Sequence, residues 1–127
     1  MNESGINRLY NMVRECSFAL HKHLRHGHLE KVYENGLALR LRKLDLSDEQ
    51  QVPVPVYDDD GTILGDLHAD LLVSSDLIVE LKATRAICGD HVAQLIGYLR
   101  GSGKRCGLLI NFGNPGLYIK RYVLGPI

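Results

Sequence analysis

The sequence has no excess of charge of one sign, no CxxC pair and no long apolar run. Fifteen Lys and Arg balance fifteen Asp and Glu, which argues against a histone-like or polybasic membrane binder but not against a local basic groove. Three unpaired cysteines favour a reduced compartment. No run reaches transmembrane length, and the polar start MNESGINRLY is unlike a secretory signal. These absences predict a soluble, cytoplasmic protein without a membrane partner.

The rest of the composition is that of an ordinary globular domain. Apolar residues make up 45% of the 127 residues and charged residues 24%, so intrinsic disorder is not expected. A chain of this length buries roughly two-thirds of its unfolded surface. Because no repeat, low-complexity tract or Pro/Gly-rich linker divides the sequence, we expect one domain over residues 1–127.

Two helices are predicted in the first third of the chain. Apolar residues recur every three or four positions from about Glu3 to Leu24 and again from Leu29 to Leu44. Gly27 is expected to end the first helix because glycine readily adopts the left-handed conformation. The apolar surface of the second helix is broad, which predicts that this helix packs on more than one side.

The period then changes to that of strands. The five predicted strands cover residues 51–57, 62–73, 77–82, 106–112 and 117–124. Prolines mark the first as an edge strand, since proline donates no ladder hydrogen bond. Asp90 is the predicted N-cap of a helix near 91–101. The order helix, helix, three strands, helix, two strands predicts an α/β or α+β fold with a central sheet covered by helices.

Two carboxylates and a lysine are predicted to meet on one side of this sheet. Side chains alternate along a strand, which places Asp70 on the face opposite Ala69 and Leu71 and puts Glu80 and Lys82 on a common face. If the two strands pair with their apolar faces together, the three charged groups share one side. Two close carboxylates repel unless a cation compensates them, and a hard ion such as Mg²⁺ would do so.

Several motifs resemble those of known nucleases. Asp70 and, after a nine-residue gap, Glu80-Leu81-Lys82 match the D…(D/E)xK signature of the PD-(D/E)XK nuclease superfamily. Residues 27–33 (GHLEKVY) match the GxxExxY pattern of a small bacterial family within it, and residues 94–98 (QLIGY) match the QxxxY element of its exonuclease-type branch. Residues 107–113 and 119–121 also resemble the end of GxxExxY proteins. The resemblance covers about Leu20 to Val123.

The resemblance implies a restriction-endonuclease-like αβββαβ core, in which helices flank a mixed sheet. It also implies metal-dependent hydrolysis of phosphodiester bonds in nucleic acid. The expected substrate is DNA, with RNA as the alternative. Asp70 and Glu80 would hold one or two Mg²⁺ ions, or Mn²⁺, together with the backbone carbonyl of Leu81. Glu30 would join them directly or through a water molecule.

The same resemblance assigns roles to residues around the metal. Lys82 would orient or help deprotonate the attacking water and offset phosphate charge. Gln94 would position the lysine, the water or the substrate. Further substrate contacts are expected from one aromatic residue and a basic rim, namely Tyr98, Arg85, Lys104, Arg105, Lys120 and Arg121. A homodimer through the apolar, strand-rich C-terminal part would double this rim.

Each of these assignments has an alternative. Asp70, Glu80 and Lys82 could form a structural ion-pair cluster, although such clusters add little net stability. Glu30 could serve only the helix dipole, and Tyr98 could be a half-buried core residue. The four histidines between residues 21 and 28 lack the spacing for zinc. The alternative function is an inactive nuclease-fold module for nucleic-acid binding or assembly; the intact D…ExK set favours the enzyme.

Overall fold

The structure is a computed structural model that describes residues 3–125. The described residues form three helices and five strands: α1 Glu3–Leu24, α2 Glu30–Lys43, β1 Asp48–Tyr57, β2 Ile63–Val73, β3 Leu77–Lys82, α3 Gly89–Ser102, β4 Cys106–Asn111 and β5 Tyr118–Val123. The predicted order is confirmed, and the boundaries differ by three residues or fewer. Within this part of the chain, no helix combines the length and apolarity needed to cross a membrane.

The five strands form one mixed sheet in the order β1-β2-β3-β4-β5. β3 and β4 are parallel and are connected through α3, whereas all other neighbouring strands are antiparallel. β1 is an edge strand, as its two prolines predict. A mixed sheet with flanking helices agrees with the expected restriction-endonuclease-like fold.

Helices cover both faces of the sheet. On one face, α1 and α2 pack on an apolar group that includes Leu71, Val79 and Leu81, which we call the α1/α2 cluster. On the other face, α3 packs on a smaller group that includes Ile78 and Leu109, the α3 cluster. All five side chains are fully buried, and burial of this kind contributes about 1.5–3 kcal/mol for each large aliphatic residue.

α2 packs against both α1 and the sheet, as its broad apolar surface predicts, but it does so through one continuous stripe of residues. Tyr33, Leu37 and Leu41 are fully buried in the α1/α2 cluster, while Val32 is 41% exposed. Leu29, just before the helix, is 78% exposed. The helix lies beside α1 on one face of the sheet, and its other half has no neighbouring element to pack against.

The connection between α1 and α2 differs from expectation. The left-handed residue that follows α1 is Arg25 (φ 62°), whose N–H bonds the carbonyl of His21 at 2.7 Å, and Gly27 (φ 112°) comes two residues later. The buried hydroxyl of Tyr33 donates to the carbonyl of Arg25 at 2.5 Å and accepts from the N–H of His28 at 3.2 Å. These bonds tie the connection to α2 and hold the start of that helix in place.

α3 begins one residue before Asp90, which therefore lies in the first turn rather than at the N-cap. Cys88 is the N-cap residue, with an extended backbone (φ −116°). The N–H of Cys88 donates to Nδ1 of His91 at 3.2 Å. The acidic side chain still sits where the helix dipole favours it.

The alternation of β2 changes sides at Asp70, which corrects the prediction that Ala69 and Leu71 share a face. Leu71 belongs to the α1/α2 cluster, as expected, but Ala69 belongs to the α3 cluster. The partner strand has an irregularity at the same level, because Gln51, between the pairs Gln50–Leu71 and Val52–Ala69, is left-handed (φ 51°). Such local twists are invisible to a rule that assumes a regular strand.

The segment after β3 is held by the side chain of Asn111, a fully buried residue of β4. Its Oδ1 accepts from the N–H groups of Thr84 and Gly113, at 3.1 and 3.0 Å, and its Nδ2 donates to the carbonyl of Thr84 at 3.0 Å. Lys82 immediately precedes this segment. The backbone that follows Lys82 is therefore held by Asn111 of β4 as well as by its connection to β3.

We expect Gly113→Ala to destabilise the protein by about 3 kcal/mol or more. A Cβ at residue 113 would lie 2.1 Å from the oxygen and 2.3 Å from the nitrogen of Thr84, and these backbone atoms cannot yield without breaking the bonds to Asn111. Urea denaturation measures the change. Gly116→Ala is the matched control, since nothing lies within 4 Å of its Cβ. Equal stabilities of the two variants would contradict the expectation.

Candidate active site

Asp70 lies where β2 separates from β3. The pairing of the two strands runs from Val73–Leu77 to Leu71–Val79. One step further, the N–H of Leu81 donates to Oδ2 of Asp70 at 2.8 Å instead of to a strand carbonyl. The carboxylate of Asp70 is thereby drawn onto β3, beside Glu80.

Glu80 presents a buried carboxyl group in contact with Asp70. Its side chain is on the α3 side of β3, and the residue is 5% exposed. Burial raises the pKa of Glu80 to about 9, with the charge of Asp70 as the second cause and a hydrogen bond to Asp70 as a further one; Lys82 acts against the increase. Among the described residues, Oε1 of Glu80 has no hydrogen-bond partner. A buried, unpartnered oxygen beside a second carboxylate is the donor set that a hard cation requires.

α3 brings two of its predicted residues to these carboxylates. Nζ of Lys82 lies 3.5 Å from Oε1 of Gln94. Tyr98, one turn further along the helix, is half-buried. Its pKa is raised first by burial and then by the charges of Glu80 and Asp70, while a hydrogen bond with Gln94 lowers it. The face predicted from the QxxxY spacing is therefore the one that faces the carboxylates.

Glu30 reaches the same place from the first turn of α2. The pKa of Glu30 is raised first by partial removal from water and second by the charge of Asp70, and Lys82 opposes the increase. Because these interactions need proximity, α2, β2 and β3 each contribute an acidic group to one region. The structure thus brings together six of the predicted residues: Glu30, Asp70, Glu80, Lys82, Gln94 and Tyr98.

The sequence around this site matches a known protein family. Residues 7–122 match the family model of the PD-(D/E)XK nuclease superfamily. The chain belongs to this superfamily. The match spans all six residues named above.

A solved structure is similar in fold to this PD-(D/E)XK chain. The crystal structure of SSO0001 matches with a TM-score of 0.56 and 19% sequence identity, over 77% of this chain and 51% of that chain. This similarity supports the fold alone, and the chain spans about half the length of the solved protein. A search of curated proteins finds no match.

The predicted basic rim of the PD-(D/E)XK domain is divided by the sheet. Lys120 pairs with Leu109, which faces α3 and pairs in turn with Glu80, so Lys120 lies two strands from Glu80 on the same face. Arg121 lies on the opposite face, where its guanidinium bonds Asn7 and stacks on a tyrosine of α1.

The other basic residues are divided along the strands. Arg85 is exposed three residues beyond Lys82, at the carboxylate end of β3. Lys104 bonds the carbonyl of Ser75 at 2.8 Å, and Arg105 bonds the carbonyl of Leu124. Both precede β4, whose first residue pairs with the first residue of β3. They therefore lie at the other end of the sheet from Glu80 and do not belong to a rim around it.

A second acidic group in the described residues is unrelated to the nuclease motifs. Carboxylate oxygens of Asp58, Asp59 and Asp60 lie within 4.8 Å of one another in the exposed turn between β1 and β2. Asp58 accepts from the N–H of Asp59 and Asp60 from that of Thr62. These bonds stabilise the turn, as the sequence predicts.

Sequence reasoning missed three polar residues beside the PD-(D/E)XK motifs. Glu34 of α2 is 3% exposed and accepts hydrogen bonds from Gln50 and Gln51 of β1, each at 2.7 Å. Gln51 also contacts Asp70. No pattern could have indicated this arrangement, because two consecutive strand residues are expected to point to opposite faces.

Proposed function

We propose that this chain is a metal-dependent nuclease of the GxxExxY family that hydrolyses phosphodiester bonds in DNA. The observation that carries the proposal is the pair formed by Asp70 and Glu80, in which a buried oxygen of Glu80 has no partner among the described residues. The ion pairs within 4 Å in residues 3–125 are Lys31–Glu34 and Arg42–Asp48. Since Lys82 does not neutralise the pair by direct contact, a purely structural ion cluster accounts poorly for it.

The acidic residues would hold the cation. Asp70, Glu80, Glu30 and the carbonyl of Leu81 are the proposed ligands of Mg²⁺ or Mn²⁺. When bound, the ion would polarise a phosphoryl oxygen and lower the pKa of its bound water. The N–H of Leu81 keeps the carboxylate of Asp70 turned towards Glu80. The proposed ligand set is thus supported by the fixed orientation of the Asp70 carboxylate as well as by the oxygen ligands that these residues offer.

The polar residues on the other side of the carboxylates would handle water and substrate. The ammonium group of Lys82 would orient the attacking water and stabilise negative charge in the transition state. Gln94 accepts from Lys82 and would hold the ammonium group in place. Tyr98, beside Glu80, would contact the substrate backbone. The contact of Lys82 with Gln94 and the proximity of Tyr98 to Glu80 support these roles.

The charge distribution supports a polyanionic substrate. The net charge of the chain is +0, but three acidic groups are concentrated at the proposed metal site. A bound cation would offset them and leave Lys82, Arg85 and Lys120 as a locally positive surface. Such a surface suits the phosphates of DNA.

The decisive experiment is a cleavage assay on single- and double-stranded DNA and RNA with Mg²⁺, Mn²⁺ or EDTA. We expect cleavage of DNA with either metal, none in EDTA, and none with Glu80→Ala. Absence of cleavage under every metal condition, or undiminished cleavage by Glu80→Ala, would overturn the nuclease proposal. Cleavage of RNA without cleavage of DNA would identify RNA, in place of DNA, as the substrate.

Lys120 and Arg121 lie on opposite faces of β5, so we expect their replacement by alanine to have different effects. Lys120→Ala should weaken DNA binding and reduce the salt slope of binding by about one, because one phosphate contact is lost. Arg121→Ala should leave DNA binding unchanged and lower the stability by about 1 kcal/mol, because it removes the contact with α1. Fluorescence anisotropy at several salt concentrations and urea denaturation measure both effects. Equal salt slopes for the two variants would contradict the assignment.

A further inference from the structure

The side-chain amide of Gln51 connects two acidic residues from different elements. Nε2 donates to Oδ1 of Asp70 at 3.2 Å and to Oε1 of Glu34 at 2.7 Å. An amide nitrogen carries two hydrogens, so both are used. The other oxygen of Asp70 accepts from the N–H of Leu81. The carboxylate of Asp70 is therefore held from β3 on one side and from β1 on the other.

The backbone of Gln51 adopts a rare conformation that makes this connection possible. Its φ is 51°, in the left-handed region that residues other than glycine seldom occupy. Adjacent strand residues normally point to opposite faces, yet Gln50 and Gln51 both donate to Glu34 at 2.7 Å. The left-handed backbone at Gln51 explains how the side chains of two consecutive residues can both reach Glu34. A strained backbone that is kept for one hydrogen-bonded bridge indicates a function for that bridge.

Glu34 is a firm anchor for the bridge. It is 3% exposed, and its second oxygen accepts from Lys31 and Gln50, each at 2.7 Å. Glu34 lies four residues after Glu30 on α2, so both are on the same face of the helix. The bridge from Glu34 through Gln51 thus joins the helix face that carries Glu30 to Asp70 of β2.

We infer that Gln51 is a positioning residue that holds Asp70 and fixes its placement relative to Glu30, so that both acidic groups face one divalent cation. The inference rests on the proposed metal-dependent function, and it assigns to Gln51 no contact with the substrate or the reacting atoms. A positioning role for Gln51 and a purely stabilising role predict different results. Loss of the amide should loosen a metal ligand more than it destabilises the fold.

The experiment is a calorimetric titration of the folded chain with Mn²⁺, together with thermal denaturation in EDTA. Gln51→Gly removes the amide and keeps the left-handed backbone accessible. Gln51→Asn also tolerates that backbone, but its amide is too short to span both carboxylates. Gln50→Ala is the matched control, because the amide of Gln50 donates to the other oxygen of Glu34 at the same distance of 2.7 Å and donates to Asn35 in place of Asp70.

For both Gln51 variants we expect the Kd for Mn²⁺ to increase about tenfold. For Gln50→Ala we expect a change of less than about twofold, with melting temperatures of all three variants in EDTA close to one another. An unchanged Kd in Gln51→Gly and Gln51→Asn would overturn the inference and leave the proposed function intact. An equal loss of affinity in Gln50→Ala would overturn it in favour of a general structural role. Absence of Mn²⁺ binding by the unmodified chain would overturn the proposed metal site and, with it, the inference.

Discussion

In EDTA at pH 7, Glu80→Gln is expected to be more stable than the unmodified protein by about 3 kcal/mol. The pKa of Glu80 is raised from 4.5 to about 9 in the folded state, chiefly by burial and then by Asp70. Between these values the folded protein keeps a proton that the unfolded chain has released, so its stability falls by about 1.4 kcal/mol per pH unit. Glutamine has nearly the same shape and no proton to lose.

The pH dependence has a definite sign. The contribution of protonated Glu80 to the stability of the unmodified protein should be fully present below pH 4.5 and be lost progressively as the pH rises to about 9. The advantage of Glu80→Gln should accordingly be close to zero near pH 4.5 and largest near pH 9. Urea denaturation at several pH values in EDTA measures the difference.

A surface carboxylate and added metal supply the controls for Glu80. Glu49 is exposed on β1, so Glu49→Gln should change the stability by less than about 0.5 kcal/mol. Under the proposed function, Mg²⁺ would bind the folded state, so it should stabilise the unmodified protein and have little effect on Glu80→Gln. The interpretation fails if the unmodified protein is at least as stable as Glu80→Gln in EDTA from pH 5 to pH 9.

Cleavage by Lys82→Ala is expected to be slower by a factor of about a thousand, while the affinity for Mn²⁺ is retained or increased. Under the proposed mechanism, the loss follows because one charged donor that would stabilise the transition state disappears from a partly buried site. Metal binding survives because the carboxylates remain, and it strengthens if the positive charge near Glu80 and Glu30 had opposed it. Single-turnover cleavage and calorimetry measure the two quantities separately.

Two further variants test whether the charge of Lys82 is the important property. Lys82→Met keeps the length of the side chain and should be as inactive as Lys82→Ala. Lys104→Ala removes an ammonium group at the opposite end of the sheet, beside Ser75, and should cleave within about twofold of the normal rate. Normal cleavage by Lys82→Met, or a comparable loss in Lys104→Ala, would contradict the role of Lys82.

Local patterns account for most of the fold. The three- and four-residue spacing of Ile6, Leu9 and Val13 predicts the buried face of α1, and prolines predict that β1 is an edge strand. These features depend on residues close together in the chain. For α2, the positions of α1 and the sheet decide which of its apolar residues are buried, and nearby apolar residues such as Leu29 stay on the surface.

The sequence by itself determined the order of the elements, the spacing of Asp70, Glu80 and Lys82, and the helix face of Gln94. The tertiary structure alone decided that Asp70 bonds the backbone of Leu81 and that Lys120 and Arg121 lie on different faces. It also decided the left-handed turn at Gln51, which depends on Glu34 and Asp70 from two other elements. Periodicity records what each strand does alone, whereas a buried charge, its pKa and its hydrogen bonds depend on distances between strands and helices far apart in the chain.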